Sequence, residues 1–219
     1  MPAILARLVL GILNVQQTWS ILNEASENKS KIISEEIRQI HELQDMAMRI
    51  LEQQIDPEME RYSKVLVNDV FDDTEGIEEA DLDAIRREIG MDPVHQDIYV
   101  INREGVVVNT TFKKDLGLNL FEFGEEHQDL LESVWQRDTF LSEKFTIEHT
   151  TKRLKKFTYI PTLDGKYLVE LGVYSSRADS IIDFVKERMN SMSNVQKNIL
   201  SVDLFIGKEQ PISLNGNGE

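Results

Sequence analysis

Between Ser20 and Phe71 the chain contains no glycine and a single proline, Pro57. Over that stretch Ile33, Ile37, Ile40, Ala47 and Leu51 recur at three- and four-residue spacing, and Leu43, Met46 and Ile50 widen the stripe. That is the period of an amphipathic helix. From Ile21 to Ile55 alone such a helix would be about 50 Å long at ~1.5 Å per residue. A small domain is narrower than this, so part of the helix must project or pair with a second copy. Gln44 falls in the seam, where a polar residue weakens packing but fixes register. Pro57, with Asp56 before it as an N-cap, predicts a kink or a restart at that point. Residues 20–72 therefore read as a stalk. Two readings fit it: a helix packed along its own domain, or one that carries force or register between a membrane and a sensor.

The segment before the stalk, residues 1–19, is apolar. Ala3–Val15 reads AILARLVLGILNV, interrupted by Arg7, Gly11 and Asn14. A complete membrane span needs about 20 apolar residues, and the segment lacks the basic start and small-residue cleavage site of a signal peptide. It fits the last turns of a transmembrane helix that begins before Met1, with Trp19 at the membrane–water boundary. It equally fits a buried or oligomer-forming helix.

Charge and cysteine usage close off several functions. Of 219 residues, 24 are Lys or Arg and 39 are Asp or Glu, a net charge of −15. Such a surface does not bind nucleic acid nonspecifically, because that requires clustered positive charge to release counterions. Cysteine is absent, which removes disulfides, thiolate metal sites and cysteine nucleophiles. The acidic run Asp72, Asp73, Glu75, Glu78, Glu79, Asp81, Asp83 lacks the alternating ligands and internal glycine of a calcium loop. It is better explained as the negatively charged start of a second helix, Glu78–Ile89, which Gly90 and Pro93 terminate.

At Asp97 the period changes to two. Ile98–Ile101 and Val106–Thr110 are β-rich runs joined by Asn102-Arg103-Glu104-Gly105, a hairpin loop. A polar stretch and a helix, Glu125–Gln136, follow. Three further strands are then expected at Thr139–Glu148, Leu154–Pro161 and Lys166–Tyr174, the last two joined by a turn at Asp164-Gly165. The chain returns to helix from Ser175 to about Leu200. This order predicts an α+β fold, an antiparallel five-stranded sheet with helices packed on it. By strand alternation Tyr167, Val169, Leu171 and Val173 face the long helix, while Leu168, Glu170, Gly172 and Tyr174 share the other face. The tail Ser201–Leu214 contains a strand-like SVDLFIG, read as a C-terminal arm or as the start of a second module.

The segment IYVINREGVVVNTTFKKDLGLNLFEF resembles the opening of a Cache domain, the PAS-like extracytoplasmic sensor module of bacterial and archaeal signalling receptors. FTYIPTLDGKYLVELGVYSSRADSII is similar to its last two strands and exit helix. The resemblance covers roughly residues 20–200 and implies a sensor domain over 73–200, with a second, truncated module over 201–219 as in double-Cache receptors. It also implies a ligand on the sheet face that carries Glu170, in an extracytoplasmic region of a membrane-bound receptor. The ligand-binding candidates are Trp135, Arg137, Phe157, Tyr159, Glu170 and Tyr174, with Arg137 as a bidentate clamp for a carboxylate. The amino-acid-binding subgroup carries an aspartate on its last strand. Here that position falls at or near Gly172, which argues against amine recognition of that type.

No catalytic constellation accompanies these residues. His41, His95, His127 and His149 are scattered over a stalk, a loop, a helix and a strand, His149 simply ending the strand. No metal-binding or phosphate-binding motif occurs. The chain is thus read as a non-enzymatic sensor with no cofactor and no metal. Its expected partners are a small organic acid or amino acid, a second copy through the N-terminal helix, and a membrane through a flanking transmembrane helix. The competing reading is a soluble helical scaffold whose sheet domain mediates protein contacts.

Overall fold

The computed structural model describes residues 2–148, 151, 153–195, 205–206 and 212–213, with side chains within 10–191. His149 and most of the tail, including the proposed start of a second module, lie outside the described residues. The chain divides into two compact units, residues 1–46 and residues 47–219. Helix α1 spans Pro2–Val65. Its part in the first unit exposes Leu13, Trp19, Ile21 and Leu22. Among the described residues no helix is long and apolar enough to cross a membrane.

Two expectations for the stalk are corrected. The helix runs through Pro57 without a restart, and Asp56 is not a cap. Its carboxylate accepts from the Ser142 hydroxyl at 2.8 Å and pairs with Lys156 at 2.9 Å. Tertiary packing of Met59, Tyr62, Leu66 and Val67 outweighs the one backbone donor that proline lacks. The apolar stripe is also not uniformly free: Ile40 is buried within the single chain, whereas Leu43, Met46 and Ile50 stay exposed. α1 ends in a π-helical turn, Leu66–Val70. Helix α2 is shorter than expected, Leu82–Glu88, because the Asp81 side chain caps it by accepting from the Ala84 N–H.

The rest of the second unit is the α+β domain that the change of period predicts. The strands are β1 (Gln96–Ile101), β2 (Val107–Thr110), β3 (Leu141–Ser142), β4 (Thr146–Ile147), β5 (Leu154–Pro161) and β6 (Leu168–Tyr174). All pairs are antiparallel, in the order β2-β1-β6-β5-β3, with β4 also on β5. Five expected strands become six because Thr139–Glu148 breaks into β3 and β4. Between them the Phe145 N–H leaves the ladder and donates to Glu52 of α1 at 3.0 Å. Helix α3 (Glu125–Arg137) precedes β3, and α4 (Ser176–Val195) follows β6. In the tail, β7 (Phe205–Ile206) and β8 (Ile212–Ser213) pair with each other.

The two sheet faces bury different cores. Val169, Leu171 and Val173 of β6, with Ile98 and Val100 of β1, pack on α1 and α2, as alternation predicts. Each such side chain stabilises the fold by about 1.5–3 kcal/mol. The opposite face carries Tyr99, Ile101, Tyr159 and Leu168 under α3, which contributes Leu131, Val134 and Trp135. Between β1 and β2 the Asn102 side chain accepts from the Glu104 and Val106 N–H groups. Gly105 follows at φ 77°, where an added Cβ would lie 2.6 Å from the Phe121 ring.

Candidate functional site

Register places three side chains in a row across the centre of the α3-facing surface. Tyr99 of β1 is opposite Glu170 of β6, and Glu170 is opposite Tyr159 of β5. Directly paired residues of an antiparallel sheet project to the same face, so this row is the floor of whatever lies above it. What lies above it is a cavity of about 350 Å³. Leu118, Leu120 and Phe123 of the β2–α3 connection and His127 of α3 line its apolar side. Asp115, Glu143 between β3 and β4, and Glu148 just after β4 supply acids. The volume suits a small organic molecule.

The cavity is acidic, and its floor is buried. Glu170 is 4% exposed, and its Oε2 has no hydrogen-bond partner. Burial pushes its pKa up to about 8; Lys155 pulls the other way, and Glu143 and Asp115 add to the rise. At neutral pH Glu170 is thus largely the neutral acid and can donate a hydrogen bond. Glu143 is likewise raised by burial, although its Oε2 accepts from the Tyr159 hydroxyl at 2.9 Å. Burial lowers the pKa of His127, whose ring meets Phe123 and Tyr159 edge-on. Among the described lining residues there is no lysine or arginine.

The six residues singled out in the sequence separate into two groups. Phe157, Tyr159 and Glu170 line the cavity. Trp135, Arg137 and Tyr174 do not. Trp135 is buried in the core beneath α3, with the Arg103 guanidinium 4.9 Å from its ring centre. Arg137 is exposed at the last turn of α3, beside Asp138, which closes the helix in the left-handed conformation at φ 49°. It is not placed to clamp a carboxylate in the cavity, because the helix presents Leu131, Val134 and Trp135 inward instead. Tyr174 lies farther along the same face of β6, 3.5 Å from Glu148 through its hydroxyl.

Sequence reasoning missed Tyr99, Asp115, His127, Glu143 and Glu148 as lining residues, and it missed two buried lysines. Lys155 and Lys156 are 0% and 1% exposed. Being consecutive in a strand they point to opposite faces. Lys156 reaches α1 through Asp56 and also donates to the Glu143 carbonyl. Lys155 donates to Asp97 at 2.7 Å and to the Tyr99 hydroxyl at 2.6 Å. The available signal was two adjacent lysines inside an otherwise apolar β run, where lysine seldom lies unless it is paired.

The chain matches no protein-family model and no curated protein. Among solved structures it is similar to a methyl-accepting chemotaxis protein from Vibrio parahaemolyticus RIMD 2210633, at 10% identity and a TM-score of 0.38 over 64% of this chain and 99% of that one. It is similar to a periplasmic sensor domain of a chemotaxis protein at 17% identity and a TM-score of 0.33, covering 62% of this chain and 97% of that one. The PAS domain of Bordetella pertussis BvgS follows at 18% identity and a TM-score of 0.26, covering 51% and 99%. None of the three lends this chain a ligand or a residue role.

Proposed function

We propose that this chain is the ligand-sensing, extracytoplasmic region of a membrane-bound signalling receptor. A small molecule binds over the sheet, and the change passes to α1. One observation carries the reading: a cavity of about 350 Å³ whose floor holds a buried carboxyl with an unpartnered oxygen, Glu170 Oε2. A buried polar atom without a partner costs roughly 1–3 kcal/mol, and a bound ligand that supplies the missing partner recovers it.

The lining also narrows the ligand. Four carboxyl groups and no basic side chain among the described lining residues disfavour an organic acid, the class the Arg137 clamp had suggested. A neutral or cationic molecule with hydrogen-bond donors and an apolar body fits better. The route out of the cavity is short. Glu143 lines the cavity, its carbonyl accepts from Lys156, and Lys156 pairs with Asp56 of α1, while Phe145 two residues on donates to Glu52 of the same helix. The exposed stripe Leu43, Met46 and Ile50 suits pairing of α1 with a second copy, through which a helix shift would act.

The test is a thermal-shift screen of amines, alcohols, amides and organic acids, since a ligand bound only by the folded state raises its midpoint. A hit among donors that Glu170→Leu abolishes supports the sensor reading. A screen in which no class shifts the midpoint, with the cavity filled by Glu170→Leu at no cost in stability, leaves the scaffold reading.

A further inference from the structure

The Lys155 ammonium occupies a site of its own beside the cavity. Lys155 is 0% exposed. Its Nζ donates to Asp97 and to the Tyr99 hydroxyl. Ring centres of Tyr174, Phe112 and Phe157 stand 4.4, 4.8 and 5.7 Å away. The Tyr99 ring centre is 5.0 Å away, and its hydroxyl oxygen accepts from the ammonium. A carboxylate on one side and aromatic faces on the others form the arrangement that recognises organic cations. Nor is the space incidental. Lys155 crosses Gly172, where an added Cβ would sit 2.4 Å from Lys155 Cε and 3.3 Å from the Tyr99 ring. A glycine in the middle of a central strand weakens the strand and marks a close approach. Here the close approach is that of the lysine stem.

Asp97 is built for a cation as well. Its Oδ1 accepts from Thr111 at 3.2 Å and faces Arg86 at 3.4 Å, which leaves Oδ2 for the ammonium. Tyr99 and Phe157 belong to both the cage and the cavity wall, so the two sites adjoin. We propose that the cage over Gly172 is a primary-ammonium site that the chain fills with its own Lys155. This internal cation acts as a specificity-determining residue: it keeps external amines from Asp97 and confines any ligand to the Glu170 side of the cavity.

The proposal is tested by chemical rescue and stands apart from what the cavity binds. Lys155→Ala retains Cβ and deletes three methylenes and the ammonium, the atoms of propylammonium. Adding propylammonium should raise the melting midpoint of Lys155→Ala saturably, with an apparent affinity about tenfold or more above that for 1-propanol, the neutral analogue. The parent and Lys155→Met, whose cages are filled, should show no such saturable shift. If Lys155→Ala does not fold alone, propylammonium should restore its circular-dichroism signal and propanol should not. Equal effects of the amine on all three proteins overturn the proposal. So does a Lys155→Met protein as stable as the parent combined with no amine rescue of Lys155→Ala, since the cage would then be ordinary apolar core.

Discussion

Lys156 Nζ lies 2.9 Å from the Asp56 carboxylate and also donates to the backbone carbonyl of Glu143. One buried ammonium thereby touches the helix on one side of the sheet and the segment that walls the cavity on the other. Asp56→Ala strands that charge, and because Asp56 itself is partly exposed the cost should be about 1–3 kcal/mol in urea unfolding. Hydrogen exchange should show the loss first in the β3–β4 segment. Protection there equal to that of the parent would show that Lys156 finds another partner.

Glu170 makes stability depend on pH. Its folded pKa of about 8 lies above the ordinary carboxylate value, so the folded state holds a proton that the unfolded state has released at neutral pH. The stabilising proton is fully present below the unfolded value, and its contribution is lost as pH rises through about 8. The melting midpoint should therefore fall from pH 6 to pH 8.5, and Glu170→Gln should flatten that fall and be the more stable protein at pH 8.5. A parent with a flat profile over this range would show that the Glu170 carboxyl is not raised in the folded protein.

Gly76 and Gly105 share nearly the same backbone angle, φ 76° and 77°. Only Gly105 has a neighbour in the way, Phe121. Alanine at Gly76 should cost about 1–2 kcal/mol for the left-handed conformation. At Gly105 overpacking adds about 1–3 kcal/mol. Chemical denaturation of the two variants measures the difference.

Arg137→Ala should leave the affinity of any cavity ligand unchanged, while Tyr159→Phe, which removes the donor to Glu143, should change it severalfold. Titration calorimetry with a hit from the screen distinguishes the two. A large effect at Arg137 would place the ligand elsewhere.

Replacing Leu43, Met46 and Ile50 with lysine should lower the sedimentation mass if the exposed stripe of α1 pairs two copies. The same change at Ile40, buried within the single chain, should destabilise instead. A parent that is monomeric at micromolar concentration removes pairing through this stripe alone, leaving membrane tethering to supply effective concentration.

What could be read from residues and what could not follow one physical line. Periodicity is local, so the long helix, the Asn102–Gly105 hairpin and the division of β6 into an α1 face and a cavity face were all legible. So were Glu170, Phe157 and Tyr159, which fall on the cavity face by counting in twos. Asp97 and Lys155 were not legible as a pair, because their partnership depends on β1 and β5 both flanking β6. Pro57 misled for the converse reason: its local signal is strong, and packing from distant strands overrode it. Arg137 was judged by its chemistry alone, and the side of α3 it occupies depends on which stripe of that helix is buried.

The central pairing of the sheet has a temporal consequence. Tyr99 and Glu170 touch across about 70 residues of chain, whereas β1–β2 and β5–β6 are local hairpins. Closing the longer loop carries the larger entropy cost and is the slower event. During synthesis the amino-terminal hairpin can form while α3 is still emerging, but the floor of the cavity has no existence until β6 leaves the ribosome and inserts between β1 and β5. If the cavity binds a ligand as proposed, recognition is then the last property this domain acquires, and a chain stopped short of Tyr174 would lack it.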